Sequence, residues 1–204
     1  MIALIDYGAG NLTSVKKALT ALGAGFTVPE TPGDCAGASG LIVPGVGHFS
    51  ATTALGAPWR DAVSGAVRAG TPLLGICVGM QWLYEGSEEA PDVPGLGVLE
   101  GTCRLLQGDA SRRLKIPHVG WNALDFTCGA QKSRLLAGLG SDAYVYFTHS
   151  FAAPVTADCV ASATHAECFA AAVERDHVFG VQFHPEKSGD AGLRILRNYL
   201  EICG

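Results

Sequence analysis

The chain has 204 residues, a formal net charge of −5, and 48% hydrophobic against 16% charged residues. That is enough apolar chain for one domain with a sizeable core, and no apolar stretch reaches the ~18 residues of a membrane span. Without a basic cluster, nucleic acid is not expected as a partner, and residues 1–5 do not have the charged-then-apolar form of a leader.

In chain order, residues 2–5 are predicted as a first core strand, followed by a glycine-rich loop, Asp6-Tyr-Gly-Ala-Gly-Asn11. Leu12, Val15, Leu19 and Leu22 then recur at helical spacing until Gly23 stops the helix. Strand, Gly-x-Gly loop and helix suggest a dinucleotide site, but the third glycine position holds Thr13 and no acidic residue follows a clear second strand. The loop glycines are instead expected to allow close backbone approach to a ligand or partner surface. Residues 26–28 and 40–43 are predicted as short strands, and Pro44-Gly-Val-Gly47 as a second glycine-rich loop at a strand's carboxyl end. A helix over 59–69, with Ala62, Val63, Ala66 and Val67 apolar, leads to a buried strand over 73–76. Alternating strands and helices imply an α/β fold, an open, mostly parallel, mixed sheet flanked by helices.

Residues 85–94 are acidic and contain proline, and are expected as a surface loop without packing. Strands are predicted at 98–106, 119–124, 144–151, 159–164, 168–174 and 178–183, with one short helix at 133–139. A closing helix over 191–203 would bury Leu193, Leu196, Leu200 and Cys203. No shift in composition marks a boundary, so residues 1–204 are read as a single domain.

Gly75-Ile-Cys77-Val-Gly79 has the form Gly-x-nucleophile-x-Gly at the end of the 73–76 strand. That pattern makes a sharp strand-to-helix turn that exposes a nucleophile, and a helix N-terminus favours a thiolate. Cys35, Cys103, Cys128, Cys159, Cys168 and Cys203 are scattered with no C-x-x-C pair, as in reduced thiols of a cytoplasmic protein. In Phe183-His184-Pro-Glu186, a strand delivers a histidine, and a carboxylate two residues on can orient it. Cys77, His184 and Glu186 therefore form a candidate nucleophile, base and orienting acid. His149 is placed to line the same cleft and His118 to lie at a surface contact; His48, His165 and His177 are given no role. No histidine pair has metal-ligand spacing, so no metal is expected. Two other readings stand beside the triad. A cysteine-elbow α/β-hydrolase would place its acid between nucleophile and histidine, and a flavodoxin-like binding module would rest on Gly8 and Gly10 alone.

Gly75-Ile-Cys-Val-Gly-Met-Gln81 with His184-Pro-Glu186 resembles the class I glutamine amidotransferases. With Asp6–Asn11, Pro44–Gly47, Ile116-Pro-His-Val-Gly-Trp-Asn122 and Val181–Ser188, the chain is similar to the glutaminase subunits of imidazole glycerol phosphate synthases. Another amidotransferase subunit, such as that of pyridoxal phosphate synthase, would keep the triad but alter the two glycine loops. The resemblance implies hydrolysis of glutamine through a Cys77 thioester, with no cofactor, and an oxyanion hole from Val78 and the Gly45, Val46, Gly47 strand. It implies Gln81, Glu89 and the backbone of Ser150 and Phe151 as glutamine contacts. It further implies a heterodimer with a (β/α)8-barrel cyclase subunit, Asn11, Trp121, Asn122, Tyr146 and Lys187 lying at the interface, and ammonia passing between the subunits in histidine biosynthesis. Gly45 and Gly47 would let the oxyanion strand flip a peptide when the partner is engaged.

Overall fold

The computed structural model describes residues 1–111, 114–126 and 133–204. Its centre is a seven-stranded sheet in the order β10-β11-β12-β4-β3-β1-β2. Strands β1 (Ile2–Leu4), β2 (Phe26–Thr27), β3 (Gly40–Gly45), β4 (Leu73–Cys77) and β12 (Val178–Val181) run parallel. Two further strands, β10 (Cys159–His165) and β11 (Glu167–Arg175), add an antiparallel edge. The helices α1 (Leu12–Ala21), α2 (Ala57–Arg68), α3 (Val78–Trp82) and α4 (Gly189–Cys203) flank this mixed sheet, as expected from the sequence. Among the described residues no helix is long and apolar enough to cross a membrane.

The central strands are apolar along their whole length because both faces are covered: β3 and β4 are buried at every position. Their register sets the site. Gly45 of β3 lies opposite Cys77 of β4, and Val181 of β12 lies opposite Ile76. The carboxyl ends of three neighbouring strands therefore deliver the second glycine loop, the elbow and the histidine motif to one edge, where sites of such sheets form.

Several elements differ from the sequence reading. The 85–94 segment is not a free loop: β5 (Gly86–Ser87) pairs with β6 (Thr102–Leu105), which pairs with β9 (Phe151–Ala152). The predicted 98–106 strand shortens to β6 because the N–H groups of Val98 and Leu99 donate to the Leu83 carbonyl. Residues 133–139 form a turn rather than a helix. There the carbonyls of Leu135 and Ala137 accept from Asn198 Nδ2, and the N–H groups of Arg134 and Leu135 donate to Glu174. In α4 the buried face centres on Ile195, Leu196 and Tyr199, with Leu193, Leu200 and Cys203 half-buried at its margins. The Tyr199 hydroxyl reaches the carbonyls of Leu41 and Pro72, tying α4 to the starts of β3 and β4.

Candidate active site

The elbow is built by two glycines. Cys77 has φ 54 and ψ −110, a left-handed conformation that a non-glycine residue adopts only where its surroundings enforce it. A Cβ on Gly75 would lie 2.6 Å from the Gly79 carbonyl oxygen, and one on Gly79 would lie 1.8 Å from that of Val43. Side chains at either position would force α3 off the sheet, so the flanking glycines are what let the thiol stand at the turn. Cys77 is buried, with Sγ 3.9 Å from the Thr148 carbonyl and 3.7 Å from Gln182 Nε2.

His184 follows β12, and its Nδ1 lies 2.8 Å from Glu186 Oε1 inside the protein. Its backbone is clasped by β8 (Tyr144–His149): the N–H donates to the Tyr146 carbonyl, and the carbonyl accepts from Ser188 Oγ. His184 Nε2 is buried and has no hydrogen-bond partner among the described residues. Burial disfavours the imidazolium, yet the neighbouring Cys77 sulfur and the Glu186 carboxylate outweigh it and raise the His184 pKa to about 9. Thiol and imidazole thus interact without yet making a hydrogen bond, as free-enzyme catalytic pairs often do before substrate tightens them. Cys77, His184 and Glu186 are thus brought to one place.

Above Cys77 is a cleft of about 30 Å³, room for about one water, lined by Gly47, Cys77, Val78, Gln81, Glu89 and residues 148–151. The oxyanion candidates divide. Val78 supplies the first N–H of α3 beside the thiol, and Gly47 reaches the cleft with φ +93. Gly45 packs flat against the elbow, a Cβ there lying 2.8 Å from Val78 Cβ and 2.2 Å from the Tyr7 hydroxyl. The Val46 N–H, however, donates to the Ala9 carbonyl at 2.8 Å, so in this conformation it is already engaged. The Asp6–Asn11 loop thus makes its close backbone approach to the second glycine loop of the same chain.

The substrate candidates are likewise committed. Gln81 is buried, and its Nε2 donates to the Phe151 carbonyl at 2.8 Å and to Gln182 Oε1 at 3.1 Å. Glu89 Oε2 accepts from the Phe49 N–H at 2.7 Å. Ser150 and Phe151 line the cleft between β8 and β9, and the Ser150 carbonyl accepts from the Leu106 N–H. At the candidate interface, Trp121 of β7 (His118–Ala123) pairs with Tyr146 of β8 and is 56% exposed. Lys187 Nζ stands 5.9 Å from the Tyr146 ring, Asn11 caps α1, and the Asn122 amide turns inward to the Thr164 carbonyl.

Sequence reasoning missed Gln182, Ser188 and Tyr7, and it gave His165 no role although that ring stacks on His118 at 4.2 Å. His118 is buried rather than at a surface contact. Cys35, Cys77, Cys103, Cys168 and Cys203 are free thiols, and Cys128 lies outside the described residues. Among the described residues no group of His, Cys, Asp or Glu is placed to hold a metal ion.

A cysteine elbow at a sheet's carboxyl edge, served by a strand-end His-x-Glu, defines a thiol amidase class of site, and the family comparison agrees. The chain matches the family model for glutamine amidotransferase class-I over residues 3–202 and belongs to that class. Similar solved folds are a crystal structure of glutamine amidotransferase (TM-score 0.76, 22% identity, 100% of this chain and 98% of that one) and the structure of PurLQS from Thermotoga maritima (TM-score 0.72, 19% identity, 98% and 97%).

Within the class, the chain belongs to the family of imidazole glycerol phosphate synthase subunit HisH. It is 47% identical to that subunit of Gloeobacter violaceus over 98% of this chain and 88% of the relative. It is 42% identical to that of Thermococcus kodakarensis, over 99% of this chain and all of the relative. The family supplies the glutaminase subunit of a histidine-biosynthetic enzyme.

Proposed function

We propose that residues 1–204 form one glutaminase domain, acting in the cytoplasm, that releases ammonia from glutamine and hands it to a cyclase subunit bound as a heterodimer. The observation that carries this reading is the Cys77 thiol at a strained elbow beside the buried His184–Glu186 pair. Cys77 Sγ attacks the side-chain carbonyl carbon of glutamine while His184 takes the thiol proton. The oxyanion is held by the Val78 N–H and by a second N–H from the 45–47 strand. The intermediate collapses to a thioester, His184 returns the proton to the leaving ammonia, and water, deprotonated by the same histidine, releases glutamate. Gln81, Glu89, Ser150 and Phe151 shape the amino-acid end of the pocket. Glu89 carries the charge that complements a substrate ammonium.

The cyclase uses the ammonia to close an imidazole ring, giving imidazole glycerol phosphate and an aminoimidazole carboxamide ribotide. Asn11, Trp121, Asn122, Tyr146 and Lys187 mark the partner face, where an exposed Trp121 fits an interface anchor. Ammonia released into water would be protonated and lost as a nucleophile, which is the reason for a partner. The test is glutamate release from glutamine by the purified chain, alone and with the cyclase; no release in either case overturns the reading.

A further inference from the structure

A chain of hydrogen bonds runs from the cleft floor to the exposed β7–β8 ribbon. His149 Nδ1 lies 3.0 Å from the Phe151 carbonyl, His118 Nδ1 lies 2.9 Å from His149 Nε2, and Asn122 Nδ2 lies 3.4 Å from His118 Nε2. The direction of every bond follows from its two ends. A carbonyl only accepts, so His149 carries its proton on Nδ1. Burial keeps His149 and His118 neutral, with pKa values lowered to about 3 and about 4. His149 Nε2 is then an acceptor, His118 must donate from Nδ1, and His118 Nε2 is left to accept from the Asn122 amide. Phe147 stacks on one neighbour of this chain, with its ring 4.8 Å from His118, and His165 covers the same imidazole.

The Phe151 carbonyl receives this bond together with the one from Gln81 Nε2. Its neighbour, the Ser150 carbonyl, is held by the Leu106 N–H, and the planar peptide turns the Phe151 N–H away from that strand. The backbone at 150–151, which lines the cleft, therefore has both carbonyls held by hydrogen bonds.

We propose that His118 and His149 are positioning residues for glutamine: acting through the Phe151 carbonyl, they hold the 150–151 backbone in the orientation that receives the substrate's amino-acid end. This rests on the glutaminase reading above. Neither imidazole touches the reacting atoms, so their loss acts on substrate affinity before it acts on turnover.

Two variants separate hydrogen bonding from packing. His118→Phe keeps the ring stacked between Phe147 and His165 and removes the donor, whereas His118→Asn keeps a donor at the Nδ1 position and removes the ring. We expect His118→Phe to raise KM for glutamine about tenfold with kcat within about threefold, and His118→Asn to stay near the parent KM. In the unmutated chain, nitrogen NMR should find His149 and His118 as neutral Nδ1–H tautomers at neutral pH. A parent KM in His118→Phe, an equal rise in both variants, or an Nε2–H tautomer at His149 overturns the positioning role while glutaminase activity stands. Absence of glutamate release by the unmutated chain overturns the glutaminase reading itself.

Discussion

The Val46 N–H donates to the Ala9 carbonyl at 2.8 Å, so in this conformation it is not available as the second oxyanion donor proposed for the 45–47 strand. The peptide plane fixes the Gly45 carbonyl on the opposite side from this N–H, so this peptide must turn over before the Val46 N–H can serve the proposed tetrahedral intermediate. One such donor is worth ~3 kcal/mol of transition-state stabilisation. The free chain should therefore turn over glutamine at least about 10²-fold more slowly than its complex with the cyclase and the cyclase's ribotide substrate. Glutamate release with and without the partner measures this. A free chain running at the full rate of the complex rules out the gate.

Cys77 and Cys168 offer opposite tests of reactivity. Cys168 is exposed on β11, whereas Cys77 is buried beside His184. A simple alkylating reagent should modify Cys168 first, while a glutamine-like electrophile should modify Cys77 and spare the others. Cys77→Ala should abolish hydrolysis and leave partner binding intact. Peptide mapping after each reagent reads the outcome, and even labelling across the thiols would contradict the elbow as nucleophile.

His184→Ala should abolish activity, and Glu186→Gln should lower it less, because the carboxylate orients and stabilises a base that is still present. The folded pKa of His184, about 9, lies above the unfolded value near 6.5. Its contribution to stability is therefore complete below about pH 6.5 and lost as pH rises through about 9. Denaturant titrations from pH 6 to 10 should show that decline, and Glu186→Gln should flatten it by removing one group that holds the imidazolium.

What could be read in the sequence was local. Gly75, Cys77 and Gly79 announce the elbow because its geometry is settled within five residues, and His184 and Glu186 sit two apart. The seven strands of the central sheet and α1, α2 and α4 follow from apolar spacing. What could not be read depends on distant partners. Leu135, Leu136 and Leu139 suggest a helical turn, but Glu174 and Asn198 take the backbone groups that a helix would need. Ser87 looked like part of a polar loop until β6 supplied a strand beside it. Gln81 was expected to meet substrate directly, and only the fold shows both its amide hydrogens engaged by Phe151 and Gln182. The histidine chain joins residues 118 and 149, with His165 stacked on it, and no short motif connects the three.

That chain also predicts an acid limit. Burial lowers the pKa of His149 to about 3 and of His118 to about 4, with the charges of His165 and, for His149, His118 and His184 acting in the same sense; only the Phe151 carbonyl opposes this at His149. Folded values below the unfolded value mean stability that is complete above about pH 6.5 and lost as pH falls through 4 and 3. At pH 5 each residue should have cost ~2 kcal/mol relative to neutral pH. His149→Asn should be less stable at pH 7 but lose less on acidification. Equal acid slopes in parent and variant would show that the cluster does not titrate on unfolding.

Trp121 and His184 are joined through Tyr146. Trp121 pairs with Tyr146 across the β7–β8 ribbon, their rings 6.2 Å apart and edge to face. The Tyr146 carbonyl accepts from the His184 N–H at 2.9 Å, and its N–H donates to Ser188 Oγ, which in turn donates to the His184 carbonyl. One face of this ribbon is thus exposed aromatic surface, with Val119 and Tyr144 beside it, while its backbone holds the base in place. Such a patch on a free subunit is the mark of an interface, and a central tryptophan there is typically worth ~2–4 kcal/mol of binding. Trp121→Ala should weaken cyclase binding by about 30-fold or more, yet leave basal glutamine hydrolysis within about threefold, because the backbone bonds to His184 do not require the indole. Titration of the cyclase into labelled chain gives the affinity, and glutamate release by the free variant gives the basal rate. Unchanged affinity would move the partner to another face; a collapsed basal rate with normal affinity would make Trp121 a support of the base rather than an anchor.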